Sequence, residues 1–280
     1  MRATFPQDDG WLLPGVDHPV RMSSLSVNWL TKYLTSLDKS HPPNCEMGWA
    51  KANGWSLNEF PWEKFWRSLG TFLTTPTDEK QWLRLVHRHS YVVSHDKDYP
   101  SDKCRACNRA RESMNHWLVC PRIAPVYAFV RKLMIAMDTD SYIVNSDWSK
   151  IYPFGIGPND KPLPEAQRAV IVISWRAIYA ALTSVSLDNS FFQPKNVIKA
   201  IAHRFRSRIL AQEEERARFF WSRIRSPHEW HLPLTLCAKF SPVGDLDPKT
   251  GALTIKDSLV EIFKEFEVWT EHPHAVPPQP

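Results

Sequence analysis

The chain has 280 residues, 43% of them hydrophobic and 23% charged, enough for one large domain or two small ones around a real core. Glycine is scarce at 9 residues, while proline reaches 23 and tryptophan 13. Few glycines argue against a dinucleotide fold, a P-loop or a many-turned β-sandwich, each of which needs glycine in tight backbone positions. The net charge of +5 is unevenly spread: residues 101–132 carry seven Lys/Arg against two acids, residues 195–225 nine against three, and residues 226–280 four against eight. The middle is basic and the tail acidic, a distribution that suits either a polyanion partner or a solvated face.

No nucleotide-binding or hydrolase motif occurs, and no internal repeat. The opening stretch MRATFPQDDGWLLPG lacks an apolar core followed by a small-residue cleavage site, so no signal peptide is expected. An odd count of 5 cysteines without such a signal points to a reducing, intracellular setting, nuclear or cytoplasmic. No membrane partner and no small-molecule substrate are expected.

In chain order, residues 1–60 read as an irregular segment, with one short helix over 24–37 carried by Leu25, Trp29, Leu30, Tyr33 and Leu34. PWEKFWRSLGTFL (61–73) opens on a helix-starting proline and places Phe65, Trp66, Leu69 and Phe72 on one side. DEKQWLRLVHRHSYVV (78–93) follows, with Asp78 as cap and a stripe of Trp82, Leu85, Val86 and His89. Residues 123–137 form a helix with Val126, Phe129, Val130, Leu133 and Met134 inward. Residues 139–163 read as a linker. The apolar run AVIVISWRAIYAALTSV (169–185) carries Arg176 near its middle, which suits a buried helix better than a membrane span.

A long basic helix is expected from about 195 to 224, with Ile198, Ile201, Phe205 and Ile209, then Phe220 and Ile224, on one face. A last short helix begins at a Ser258/Glu261 capping box and buries Ile262, Phe263, Phe266 and Trp269. The end, EHPHAVPPQP, reads as disordered. The fold class expected is mostly α: a helical domain (61–138) with a small zinc hairpin inserted between helices, then a basic helical hairpin (164–226), then an acidic, Pro-rich tail (227–280).

The chemistry sits in CRACNRARESMNHWLVC, residues 104–120, which holds three of the five cysteines. Cys104 and Cys107 are spaced so that one turn presents both thiolates to one ion. His116 and Cys120, four apart, share one face of a helix start. The spacing C-x2-C-x8-H-x3-C fills all four corners of a tetrahedron with protein atoms, the pattern of a closed, structural Zn2+ site. The alternatives are a chance cluster in a basic loop, a Cys104–Cys107 disulfide, and a Cys120 nucleophile with His116 as base. Zinc accounts for all four residues at once. His87, His89 and His95 lie upstream as competing ligands, and Cys45 and Cys237 stand alone.

The stretch from Pro61 to about Met137 resembles the zinc-binding region that follows the reverse transcriptase in non-LTR retrotransposons. Trp62, Phe65 and Trp66 match its aromatic segment, WLRLVH (82–87) its Trp-containing helix, and Cys104, Cys107, Glu112, Ser113, His116, Cys120 and Pro121 its metal motif. ISWRAIYAA (173–181) is similar to a helix often found downstream. One departure is the short, basic gap between Cys107 and Glu112, which requires a tight hairpin.

The resemblance implies a non-catalytic accessory module. No Y-x-D-D occurs, and no endonuclease carboxylate set can be assembled from PNDK (158–161) or from Asp138 and Asp140. It also implies RNA or DNA as partner, alongside other retroelement proteins. The cations expected to meet phosphates are Arg105, Arg109 and Arg111 on the hairpin and Arg204, Arg206 and Arg208 on the long helix, with Trp117 available to stack on a base or to pack under the metal. The second reading is a zinc-stapled module for protein–protein interaction, in which acids cap these arginines. The two part on geometry: a shared exposed face favours the first, and arginines turned apart or capped favour the second.

Overall fold

A computed structural model describes residues 44–70, 73–137, 148–188, 190–223, 237, 239–248 and 252–267. The protein is mostly helical, as its periodicities require. Its helices are α1 (Asn44–Asn53), α2 (Trp62–Arg67), α3 (Pro76–Val86), α4 (Met114–Val119), α5 (Ala124–Met137), α6 (Trp148–Phe154), α7 (Glu165–Asp188), α8 (Pro194–Arg223) and α9 (Asp257–Glu265). One antiparallel hairpin, β1 (Gly244–Leu246) and β2 (Leu253–Ile255), pairs Asp245 with Thr254.

The centre is α7. Every residue from Ala166 to Trp175 is buried, and α3, α5 and α8 pack around the helix. By length and composition it could cross a membrane; here its apolar surface is spent on its neighbours. Helix α5 turns Val126, Phe129, Val130, Leu133 and Met134 inward as expected, and α8 contributes Ile198, Ile201, Phe205 and Ile209. The Phe220 side chain and Ile224 lie outside the described residues.

Helix α3 starts earlier than its sequence suggests. Thr75 is the N-cap, its hydroxyl accepting from the Asp78 N–H while the Asp78 carboxylate accepts from the Thr75 N–H, and Pro76 sits in the first turn. Asp78 is therefore the reciprocal partner in a capping box and not the cap. Trp82, Leu85 and Val86 are buried, but the helix ends at Val86 and leaves His89 outside the stripe. In α2, Trp62 and Phe65 are buried, while Leu69 lies beyond the helix and is exposed. Phe72 is outside the described residues.

Three segments differ from the sequence reading. Within 1–60, residues 44–53 form α1, and Trp49 is fully buried with its indole N–H donating to the Val86 carbonyl at 2.7 Å. The expected helix over 24–37 lies outside the described residues. Within 139–163, residues 148–163 supply α6 and buried Ile151, Tyr152, Phe154, Ile156 and Leu163. Proline and glycine gave this stretch the look of a linker, yet both have helical uses. The Pro153 carbonyl accepts from the Trp82 indole at 2.8 Å. Gly155 closes α6 at a φ of +65°, where a Cβ would also meet Arg168 Cγ at 2.9 Å.

The tail differs in its caps. Lys256 occupies the N-cap of α9, and the Ser258 hydroxyl donates to the Ala136 carbonyl, so Ser258 ties the tail to α5 in place of a capping box. Ile262 and Phe263 are buried, and the Phe266 ring meets Phe129 at 4.9 Å. Trp269 and residues 271–280 lie outside the described residues. Side chains from α2 through α9 belong to one contiguous core that spans both helical regions read from the sequence.

Candidate metal centre

The first two ligands come from a tight hairpin. An antiparallel bridge pairs Lys103 with Arg111, the Cys104 N–H donates to the Ala110 carbonyl at 2.7 Å, and the Asn108 N–H returns to the Cys104 carbonyl at 2.7 Å. Asn108 takes a φ of +53°, which its short polar side chain tolerates. The chain thus reverses between Cys104 and Ala110, which accommodates the short Cys107–Glu112 gap. The other two ligands come from α4. Ser113 caps that helix, its hydroxyl accepting from the His116 N–H at 3.0 Å. His116 lies in its first turn and Cys120 caps its C-terminal end.

The ligand atoms of Cys104, Cys107, His116 and Cys120 all lie within 4.8 Å of one another. The Cys104 and Cys120 sulfurs are 3.9 Å apart, and Cys107 Sγ is 3.3 Å from His116 Nε2. A tetrahedral ion with metal–sulfur bonds of about 2.3 Å places its sulfurs about 3.8 Å apart, so the four residues fit a single metal ion. Cys104 and Cys120 are buried, and Cys107 and His116 half-buried. The two buried thiols share a hydrogen bond that pushes their pKa values apart, Cys104 upward and Cys120 downward.

His87 and His89 are not part of this group. Their rings stack 6.2 Å apart, with His87 against Trp66 at 5.3 Å. His95 sits in an exposed 3-10 turn. Cys45 is buried in α1, where burial and the neighbouring Glu46 raise its pKa, and Cys237 is half-buried.

Beneath the ligands lies an ion pair that links the hairpin to the rest of the fold. Glu112 is fully buried, and the Arg105 side chain is 2% exposed. The Glu112 carboxylate accepts from the Val93 N–H at 3.0 Å, from the Arg105 N–H at 2.9 Å and from the Arg105 guanidinium at 2.8 Å. The same guanidinium donates to the carbonyls of Leu182 and Tyr91 and to the Ser186 hydroxyl. Arg105 is therefore no phosphate contact, as the sequence reading had it: its donors are used inside the protein. Trp117 is 1% exposed and meets Tyr179 edge-on at 6.5 Å, which removes it as a base-stacking residue and leaves the packing role.

The remaining arginines sit in different settings. Arg109 and Arg111 are exposed on the hairpin, with Arg111 3.7 Å from Asp102. Arg206 is 8% exposed, and burial lowers its pKa, so it too is withdrawn from solvent. Arg204 and Arg208, one turn apart on α8, face Asp78 together with Arg176 of α7.

No family model, curated protein or solved structure matches this chain. The roles of Asp78 and Arg176 had no signal in the sequence, where one reads as a cap and the other as a lone charge in an apolar helix. Glu112 stood in the motif without a function; its function is to hold Arg105.

Proposed function

We propose that this chain is a non-catalytic helical module whose hairpin and α4 are held by one structural zinc ion on Cys104, Cys107, His116 and Cys120. The observation that carries the reading is the convergence of four protein ligands within 4.8 Å, which fills the coordination sphere and leaves no position for an activated water. Three thiolates and one imidazole form a soft donor set that favours zinc over hard cations such as magnesium or calcium.

The resemblance to the region downstream of non-LTR retrotransposon reverse transcriptases supports the same reading. Glu112 anchors Arg105, Ser113 caps α4, and His116 and Cys120 are ligands, so the motif residues that carry the resemblance each have a part in this one local structure. Of the two uses for such a module, the capped arginines favour a structural or protein-interaction scaffold over a hairpin that grips nucleic acid. Arg105 is paired with Glu112 and Arg111 lies beside Asp102.

The test is metal content and ligand-field spectroscopy on the purified full chain. One zinc per chain is expected, with thiolate charge-transfer bands after cobalt substitution, and both should vanish in Cys107→Ser. A full-length chain that folds without stoichiometric metal, or a cobalt spectrum without thiolate bands, would sink the reading.

A further inference from the structure

Arg176 from α7 and Arg204 and Arg208 from α8 converge on one carboxylate, Asp78 of α3. Arg176 makes a true hydrogen bond to Asp78 Oδ1 at 2.9 Å. Arg204 and Arg208 stand off at 3.8 and 3.9 Å, within reach of the charge but too far to donate to it. Asp78 has little left to offer them, because Oδ2 already accepts from the Thr75 N–H and hydroxyl. A guanidinium carries five N–H donors. Among the described residues those of Arg204 and Arg208 find no acceptor, and Arg204 Nη1 is buried without one.

Asp78 is also the one acid paired with any of the three arginines among the described residues, so three positive charges face one negative charge. The positive N-terminal end of α3 adds to the imbalance. Crowding shows on Arg204, whose pKa is lowered by burial and then by the neighbouring Arg176. Such a cluster is costly unless something shares it. The side chains of Arg176, Arg204 and Arg208 are 29%, 36% and 39% exposed, so a ligand can reach them from solvent.

We infer that Arg204 and Arg208, backed by the Arg176–Asp78 pair, form a binding site for a phosphate oxyanion. A tetrahedral phosphate supplies several acceptor oxygens at once, which suits the planar fork of a guanidinium, and brings the negative charge the cluster lacks. Asp78 does not compete for the ligand. It is 3% exposed, turned into its own capping box, and holds Arg176 by a hydrogen bond. The site is distinct from the zinc hairpin and does not depend on the zinc reading.

The experiment uses the full chain as purified and two probes, inorganic phosphate and a fluorescein-labelled 20-nucleotide single-stranded RNA, at low salt. Phosphate is followed by thermal shift against chloride at matched ionic strength, and RNA by anisotropy. In R204Q/R208Q, whichever probe binds the wild type should bind at least tenfold more weakly, with zinc content and far-UV circular dichroism unchanged. R204K/R208K, which keeps charge but loses the fork, should fall between. If RNA binds, the slope of log K against log salt should become shallower by about 1.4, the value for two lost single-strand phosphate contacts. Binding of phosphate alone assigns the site to a free phosphate or monoester, and binding of RNA assigns it to a backbone; each supports the site. Wild-type protein that binds neither probe overturns it, as does a double variant that binds as tightly as wild type. Should the double variant fail to fold, R208Q, at the most exposed of the three, is read by the same criteria.

Discussion

Arg105 spends its guanidinium on Glu112, on two backbone carbonyls and on Ser186, all inside the protein. A charge held this way is expensive to orphan. Glu112→Ala is expected to destabilise the chain by about 3–5 kcal/mol, because it leaves a buried guanidinium without its counter-charge. Replacing both residues by apolar ones should cost less than the single change, and urea denaturation of the three variants measures the order. Nothing in the sequence marks Arg105 as interior: it sits in a basic turn where arginine ordinarily faces water, and its farthest partner lies 81 residues away. Asp78 is a second case. Burial would raise its pKa, but the hydrogen bonds from Thr75 and the charge of Arg176 outweigh that and hold it below the ordinary value. A depressed folded pKa means stability that is complete above the unfolded value, about 3.9, and is lost as pH falls through the folded one. Asp78→Asn should therefore be less stable than wild type at neutral pH, and the gap should narrow below about pH 4. Melting temperatures of both proteins across pH give the comparison; any metal loss in acid would affect both alike, so their difference isolates Asp78.

At the scale of elements, the hairpin and α4 are short pieces that propensity alone would not hold. Isolated helices need about 12–15 residues to persist, and α4 has 6. A metal ion held by the four candidate ligands would supply the missing stability, on the order of 10 kcal/mol in isolated zinc peptides. Cys107→Ser should raise hydrogen exchange across residues 91–123 and in the last turns of α7, where Leu182 and Ser186 accept from Arg105. The buried stretch of α8 from Val197 to Ile209 should keep its protection, since its stripe packs on α7, α5 and α9. Unchanged exchange around the hairpin would show that the metal has no structural part. The cluster of candidate ligands was legible because coordination chemistry demands a fixed spacing, and α5, α7 and α8 because their apolar residues recur at the helical period. Helix α6 was not, because WSKIYPF is too short to show a period and its proline reads as a stop. What makes it helical is tertiary: a tryptophan 71 residues upstream donates to its Pro153 carbonyl.

At the largest scale, the decisive fact is that the described residues share a single core. Phe154 lies where its parts meet. Its ring touches Trp49, Trp55, Phe60, Trp62 and Phe65, drawn from α1, α2 and the turn between them. Phe154→Ala should cost about 3–5 kcal/mol. Tryptophan fluorescence and far-UV circular dichroism should still report one coincident transition; two separate transitions would mean that the aromatic layer folds apart from the helices behind it. The boundaries read from composition at 138 and 164 follow changes in charge and proline content. Such changes record the surface, whereas the core continues beneath them. The hydrogen bonds of Arg105 to Leu182 and Ser186 have a further consequence, in time. All four ligands lie within residues 104–120, while the carbonyl that Arg105 must reach is 77 residues beyond it. Synthesis runs from the N-terminus, so the whole ligand set emerges before any of α7 exists. Closing the longer loop also carries the larger entropic cost. If the four residues take up a metal ion, its capture is expected on the growing chain, with the central helix docking afterwards on the carbonyl contacts of Arg105.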